Sequence, residues 1–178
     1  MEGVSLSEAG RDQARQLAAC LAGRSIAAVV SSPLERARQT AEPIAAAVGL
    51  EVAIDPGLNE IDFGAWTGQA FRDLDGLPEW DAWNSFRSTA RCPGGETMLQ
   101  AQGRALATVS RLREAHQDGE VVLVGHQDVL KAVLAHFLAV PLDLLQRIAL
   151  DPARRAVVTL LPADVRVDGL NLPPYIPA

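Results

Sequence analysis

Apolar positions set the framework of the chain. Ala14, Leu17, Ala18 and Leu21 recur at helical spacing, which predicts a helix from about Glu8 to Ala22 with Ser7 as its N-cap and Gly23 as its stop. The uninterrupted run Ile26-Ala27-Ala28-Val29-Val30 predicts a buried strand. Ser31-Ser32-Pro33-Leu34-Glu35-Arg36 then opens a second helix, with Ser32, Pro33 and Glu35 in its first turn, running to Val48 and stopped by Gly49. Glu51 to Ile54 reads as a short strand closed by the turn former Asp55-Pro56-Gly57, and an irregular acidic stretch from Leu58 to Gly68 follows. Residues 69–87 predict short helices broken at Pro78. A helix over about 97–116 should bury Leu99, Leu106, Val109 and Leu112.

Past the turn at Asp118-Gly119, Val121-Val122-Leu123-Val124 shows no alternation, as expected of a strand covered on both faces. Gly125-His126-Gln127-Asp128 enters an apolar helix that reaches Leu138. Arg147 to Leu150 and Ala156 to Leu161 predict a hairpin around Asp151-Pro152, and residues 162–178 an extended tail. Alternating strands and helices make residues 1–178 one α/β domain, a three-layer α/β/α sandwich with a mostly parallel sheet. Ligands in such sheets bind beyond the strands' carboxyl ends. Arg36 and His126 each lie there, at a strand-to-helix junction.

Composition narrows the partners. A formal net charge of −6 over 178 residues, with no basic run, argues against nucleic acid and membrane surfaces as partners. Nowhere do about 18 apolar residues run together to span a bilayer. Cys20 and Cys92 are far apart, and Cys20 sits in an apolar helix as a core residue. No metal-ligand spacing exists, and a reduced, cytoplasmic protein without a metal or other cofactor is expected.

The polar residues at the junctions suit a phosphomonoester. Its dianion needs fixed donors and a cation. Arg36 offers a bidentate fork beside free backbone N–H groups, His126 a ring N–H, and Thr40 stands one turn from Arg36 on the same helix face. Glu60, in the loop after the third strand, is the candidate proton donor to a leaving alkoxide. Trp66, Trp80 and Trp83 read as core and lid packing.

Five pieces occur in order along the chain: Leu6-Ser7-Glu8-Ala9-Gly10, Ser31 to Ala37, Asn59 to Gly68, Pro93-Gly94-Gly95-Glu96 and Val124-Gly125-His126. Together they resemble the histidine phosphatase, or phosphoglycerate mutase-like, superfamily, in particular its small bacterial phosphatases. The resemblance implies that a histidine attacks phosphorus and that water hydrolyses the phosphohistidine. It assigns Arg36 to the phosphate, His126 to the developing charge, and Glu60 to proton donation and then activation of water. Glu96 is read mainly as a helix-start residue, with Glu96 and Thr40 as accessory positions, and the substrate implied is a small phosphorylated metabolite.

The family's nucleophile lies in an Arg-His-Gly or Arg-His-Ala motif on a central first strand, and this chain has no such motif. Its histidines are His116, expected solvated at a helix end, His126, and His136, expected in a core or groove. None but His126 maps onto the family's site. The segment Met1 to Leu6 resembles an internal stretch of the family, which predicts an N-terminally truncated domain started at an internal methionine. The chain as given is expected to be inactive and poorly stable or rearranged. Closure by direct strand pairing, by the chain's own tail or by a homodimer through the exposed sheet edge stays open. Two other readings stand beside it: a protein that binds phosphate esters without turnover, and a Ser-His-Asp hydrolase using Ser31 or Ser32, for which no Gly-x-Ser-x-Gly elbow is present.

Overall fold

A computed structural model describes residues 3–174. Met1, Glu2 and the end of the predicted tail, 175–178, lie outside the described residues. The elements run α1 (Glu8–Leu21), β1 (Ile26–Ser31), α2 (Glu35–Val48), β2 (Val52–Ile54), α3 (Phe71–Leu74), α4 (Pro78–Ser85), α5 (Met98–Ala115), β3 (Glu120–Val124), α6 (Gln127–Phe137), β4 (Arg155–Leu160) and β5 (Val165–Leu172). Single 3-10 turns cover Pro56–Leu58 and Gly64–Trp66, and a longer one Leu142–Arg147. Among the described residues no helix is long and apolar enough to cross a membrane.

The α/β alternation produces the parallel sheet that the pattern predicts, with strand order β2-β1-β3. Val29, Val30 and Ser31 pair with Val52, Ala53 and Ile54 on one side and with Val122, Leu123 and Val124 on the other. The Ser7 hydroxyl caps α1 by accepting from the Gly10 N–H, and α1 buries the four predicted residues. Gly49 ends α2 at φ 74°, a conformation that favours glycine. Val29, Val122 and Val124 join α1 and α2 in one apolar cluster. A second cluster gathers α5, α6, the tryptophans and one face of β4.

Four local expectations fail for identifiable reasons. Leu34, not Ser32, is the N-cap of α2, so Ser32 and Pro33 precede the helix. α5 buries Met98, Ala101, Gln102, Ala105 and Thr108 and leaves Leu99 57% exposed. Its close approach to the Pro56–Leu58 turn needs small side chains, so the buried face is turned away from Leu99. The hairpin forms between β4 and β5, antiparallel, because the turn-forming residues 161–164 reverse the chain, whereas Leu142–Arg147 coils into a 3-10 helix. Cys20 is only half-buried, and Cys92 is the core cysteine.

Among the described residues β3 pairs with β1 alone, and β4 with β5 alone. Val121, Val122 and Leu123, and all of β4, remain half-buried. The strands therefore form two separate sheets, each with an open edge.

Candidate active site

Backbone bonds lock together the turns that follow the three parallel strands. The Ser32 N–H donates to the Val124 carbonyl at 2.9 Å, and the Asp55 N–H donates to the Ser31 carbonyl at 2.9 Å. Arg36 then falls in the first turn of α2, and His126 occupies the N-cap position of α6 without capping it through its side chain. The imidazole is left to serve the space between the two helices.

Here three predicted residues meet. Arg36 Nη2 lies 3.1 Å from His126 Nδ1. Glu60 Oε2 lies 3.8 Å from Arg36 Nη2 and 3.7 Å from His126 Nδ1. A guanidinium only donates, so Nδ1 accepts from Arg36 and the ring proton sits on Nε2. From there Nε2–H donates to Ser32 Oγ over 2.9 Å. Burial, reinforced by the charge of Arg36, drives the His126 pKa down to about 3, so the ring is neutral over the physiological range. Glu60 shifts in the opposite sense. Burial raises its pKa, with help from the Asp128 carboxylate and against a hydrogen bond from the Ile61 N–H. A carboxyl that burial makes a weaker acid than usual, set beside an arginine, is suited to deliver a proton to a leaving oxygen.

The loop that carries Glu60 is held from behind by Arg104, which the sequence gave no reason to single out. Arg104 donates to the carbonyls of Gly57 at 2.8 Å, Asn59 at 2.7 Å and Glu60 at 3.1 Å. It also pairs in a fork with Glu96, at 2.6 Å and 3.2 Å. Glu96 Oε1 in turn accepts from the Asp62 N–H at 3.0 Å. Glu96 is therefore a bracket for the Glu60 loop. The Pro-Gly-Gly-Glu motif has the same purpose: a Cβ on Gly95 would stand 2.1 Å from the Asp62 carbonyl oxygen, and one on Gly64 2.2 Å from the Pro93 carbonyl oxygen. Two backbone segments interlock where only glycine fits.

Thr40 Oγ1 donates to the Arg36 carbonyl at 3.0 Å, so its hydroxyl is used within its own helix. Asp128 joins Arg87 at 2.6 Å, tying the 69–95 segment to the first turn of α6. Ser32 contacts His126, yet Ser31 and Ser32 are fully buried. The Ser32 hydroxyl donates to Asn59 Oδ1 at 3.1 Å. With Nε2 donating to it, Ser32 lacks both the base and the access a nucleophile needs. His116 ends α5, and His136 is exposed against the edge of Phe137, not in a core or groove. Neither belongs to the cluster. Among the described residues no group of three or more histidine, cysteine or acidic side chains is placed to hold a metal ion.

The chain is similar to known proteins along nearly its whole length. The model of the histidine phosphatase superfamily (branch 1) matches residues 1–173. Bifunctional protein Rv2228c of Mycobacterium tuberculosis is 36% identical over 168 residues, which cover 93% of this chain but 45% of that protein, so the chain spans less than half of that relative. Phosphoserine phosphatase 1 of Hydrogenobacter thermophilus is 31% identical over 155 residues, 86% of this chain and 74% of that protein. Among solved structures, Bacillus stearothermophilus YhfR superposes with a TM-score of 0.88 at 26% identity, covering 94% of this chain and 86% of its own.

Proposed function

This chain belongs to the histidine phosphatase superfamily, and from that premise we propose that it carries the phosphate-gripping and proton-donating part of a phosphomonoesterase site. The observation behind this reading is the meeting of Arg36, Glu60 and His126, from three separate segments, within 3.1–3.8 Å. Arg36 grips two oxygens of the phosphate ester. His126 meets a third as charge develops, and Glu60 gives its proton to the leaving alkoxide. The substrate class is a small phosphorylated metabolite, in keeping with a phosphatase among the relatives.

The nucleophile is the part this cluster does not supply, since His116 and His136 lie elsewhere. We further propose that the attacking imidazole belongs on a strand pairing with the open edge of β3, bringing it to the same end of the sheet as Arg36 and His126. The half-buried valines of β3 and the unpaired edge of β4 favour that location. By itself the 178-residue chain then binds phosphate esters with little turnover.

The test is hydrolysis of an aryl phosphate by the chain alone and by a longer form that includes the residues encoded upstream in frame. Activity confined to the longer form is expected. Equal activity in both would place the nucleophile among the residues described above and overturn the proposal. A chain that shows no heat with millimolar inorganic phosphate would remove even the binding role.

A further inference from the structure

His126 faces two ways. Towards the site its Nδ1 accepts from Arg36; towards the interior its Nε2–H is received by Ser32 Oγ. That oxygen is fully used, because it also accepts from the Leu34 N–H at 3.3 Å and donates its own proton to Asn59 Oδ1. Hydrogen-bond polarity therefore runs in one direction, from Arg36 through His126 and Ser32 to Asn59. In this state the ring presents an acceptor to the site, the wrong polarity for a phosphate oxygen.

Both groups behind the ring can reverse. A hydroxyl donates or accepts, and a primary amide presents either end when it turns about its last torsion. If the Asn59 amide turns, its Nδ2–H donates to Ser32 Oγ, the hydroxyl proton swings to Nε2, and Nδ1 carries the ring hydrogen. The ring loses one proton to solvent at Nε2 and gains one from solvent at Nδ1, so its charge stays zero. A carboxylate or a backbone carbonyl in place of Ser32 would forbid this, since neither can donate.

We propose that Ser32 and Asn59 are positioning residues forming a reversible relay, which turns His126 from an acceptor for Arg36 in the empty site into a neutral donor to a phosphate oxygen. The inference rests on the phosphate-binding reading given above. Burial of the ring beside Arg36 favours exchange of tautomers over formation of an imidazolium. Among the described residues, Arg36 from α2 and Glu60 from the loop after β2 lie against His126, and the charge of Arg104 from α5 acts on it from further off.

The experiment is nitrogen NMR of the full 178-residue chain labelled in its histidines, with the His126 signals assigned by their loss in His126→Gln. Spectra at pH 8 are compared with and without inorganic phosphate. A pure Nε2–H pattern without phosphate and an Nδ1–H pattern with it are expected. In Ser32→Ala the empty protein should lose its single-tautomer pattern and bind phosphate about tenfold more weakly, the loss of one buried hydrogen bond. Should Ser32→Ala fail to fold, Asn59→Ala, at a half-buried side chain, should show the same loss of pattern.

An imidazolium pattern in bound wild-type protein overturns the relay, as does a variant with wild-type tautomers and affinity. If phosphate changes no histidine signal and evolves no heat, the phosphate-binding reading fails. The relay to a phosphate oxygen falls with it, while an unchanged tautomer in empty Ser32→Ala overturns the relay independently of phosphate.

Discussion

On one edge β3 is paired with β1, and its last residue, Val124, is buried and accepts from the Ser32 N–H. On the opposite edge, among the described residues, no strand is present, and Val121, Val122 and Leu123 stay half-buried, as does β4 in the other sheet. The two flanks contain similar residues, valine above all, so composition does not separate them. What separates them is whether the backbone groups at the edge find partners. Arg36, His126 and Glu60 all depend on the paired flank, which explains how these three side chains come together there without help from the other side.

The largest contrast should come from matched substitutions on the two flanks. Val30→Asp, buried between β2 and β3, places an unpaired charge in the interior and should cost at least about 3 kcal/mol, enough to unfold much of the population. Val157→Asp on half-buried β4 should cost under about 1.5 kcal/mol in urea titrations. Equal costs would mean that the open edge is as well covered as the paired one.

Acid gives the next effect. His126 has a folded pKa of about 3 against an ordinary 6.5, so the unfolded chain binds the extra proton between those values. Stability attributable to this residue is complete above pH 6.5 and falls as pH drops towards 3, by up to about 1.4 kcal/mol per pH unit. Glu60, raised instead, contributes stability at low pH that is lost as pH rises through its folded value. Urea midpoints measured against pH should fall more gently in acid for His126→Gln than for the wild type.

Arg36→Ala should follow, weakening inorganic phosphate by about ten- to a hundredfold, as expected for a charge-assisted fork, with little change in folding. Arg104→Ala is the mildest at the site. Its three carbonyl contacts go, so amide exchange over residues 57–62 should accelerate while α1 and α2 stay protected.

Much of the paired flank was legible beforehand, because its signals are local. The stripe of α1, its Ser7 cap, the β1 run and the Gly49 stop each follow from neighbouring residues. Arg36, Glu60 and His126 could be picked out by their places at strand ends, and the resemblance assigned their roles. Arg104 could not, because its partners are backbone carbonyls that every residue carries. Asn59 was legible only as the first residue of a motif piece, without a role, for a related reason: its importance lies in what stands behind the imidazole, not in its own segment. On α5 the leucines drew attention from Ala101, Ala105 and Thr108, although close helix approach is governed by small side chains. The hairpin was displaced because Asp151-Pro152 is a stronger turn signal than residues 161–164, where Asp164 supports the actual reversal through its bonds with Leu161 and Val165.

The division into two apolar clusters also bears on how the molecule comes apart. One cluster joins α1 and α2 to the parallel strands, the other α5, α6 and the tryptophans, and each can hold its own helices together. Heating should then melt two blocks in succession, and the calorimetric enthalpy should exceed the van't Hoff value of either. Tryptophan fluorescence would follow the second block and be nearly blind to the first.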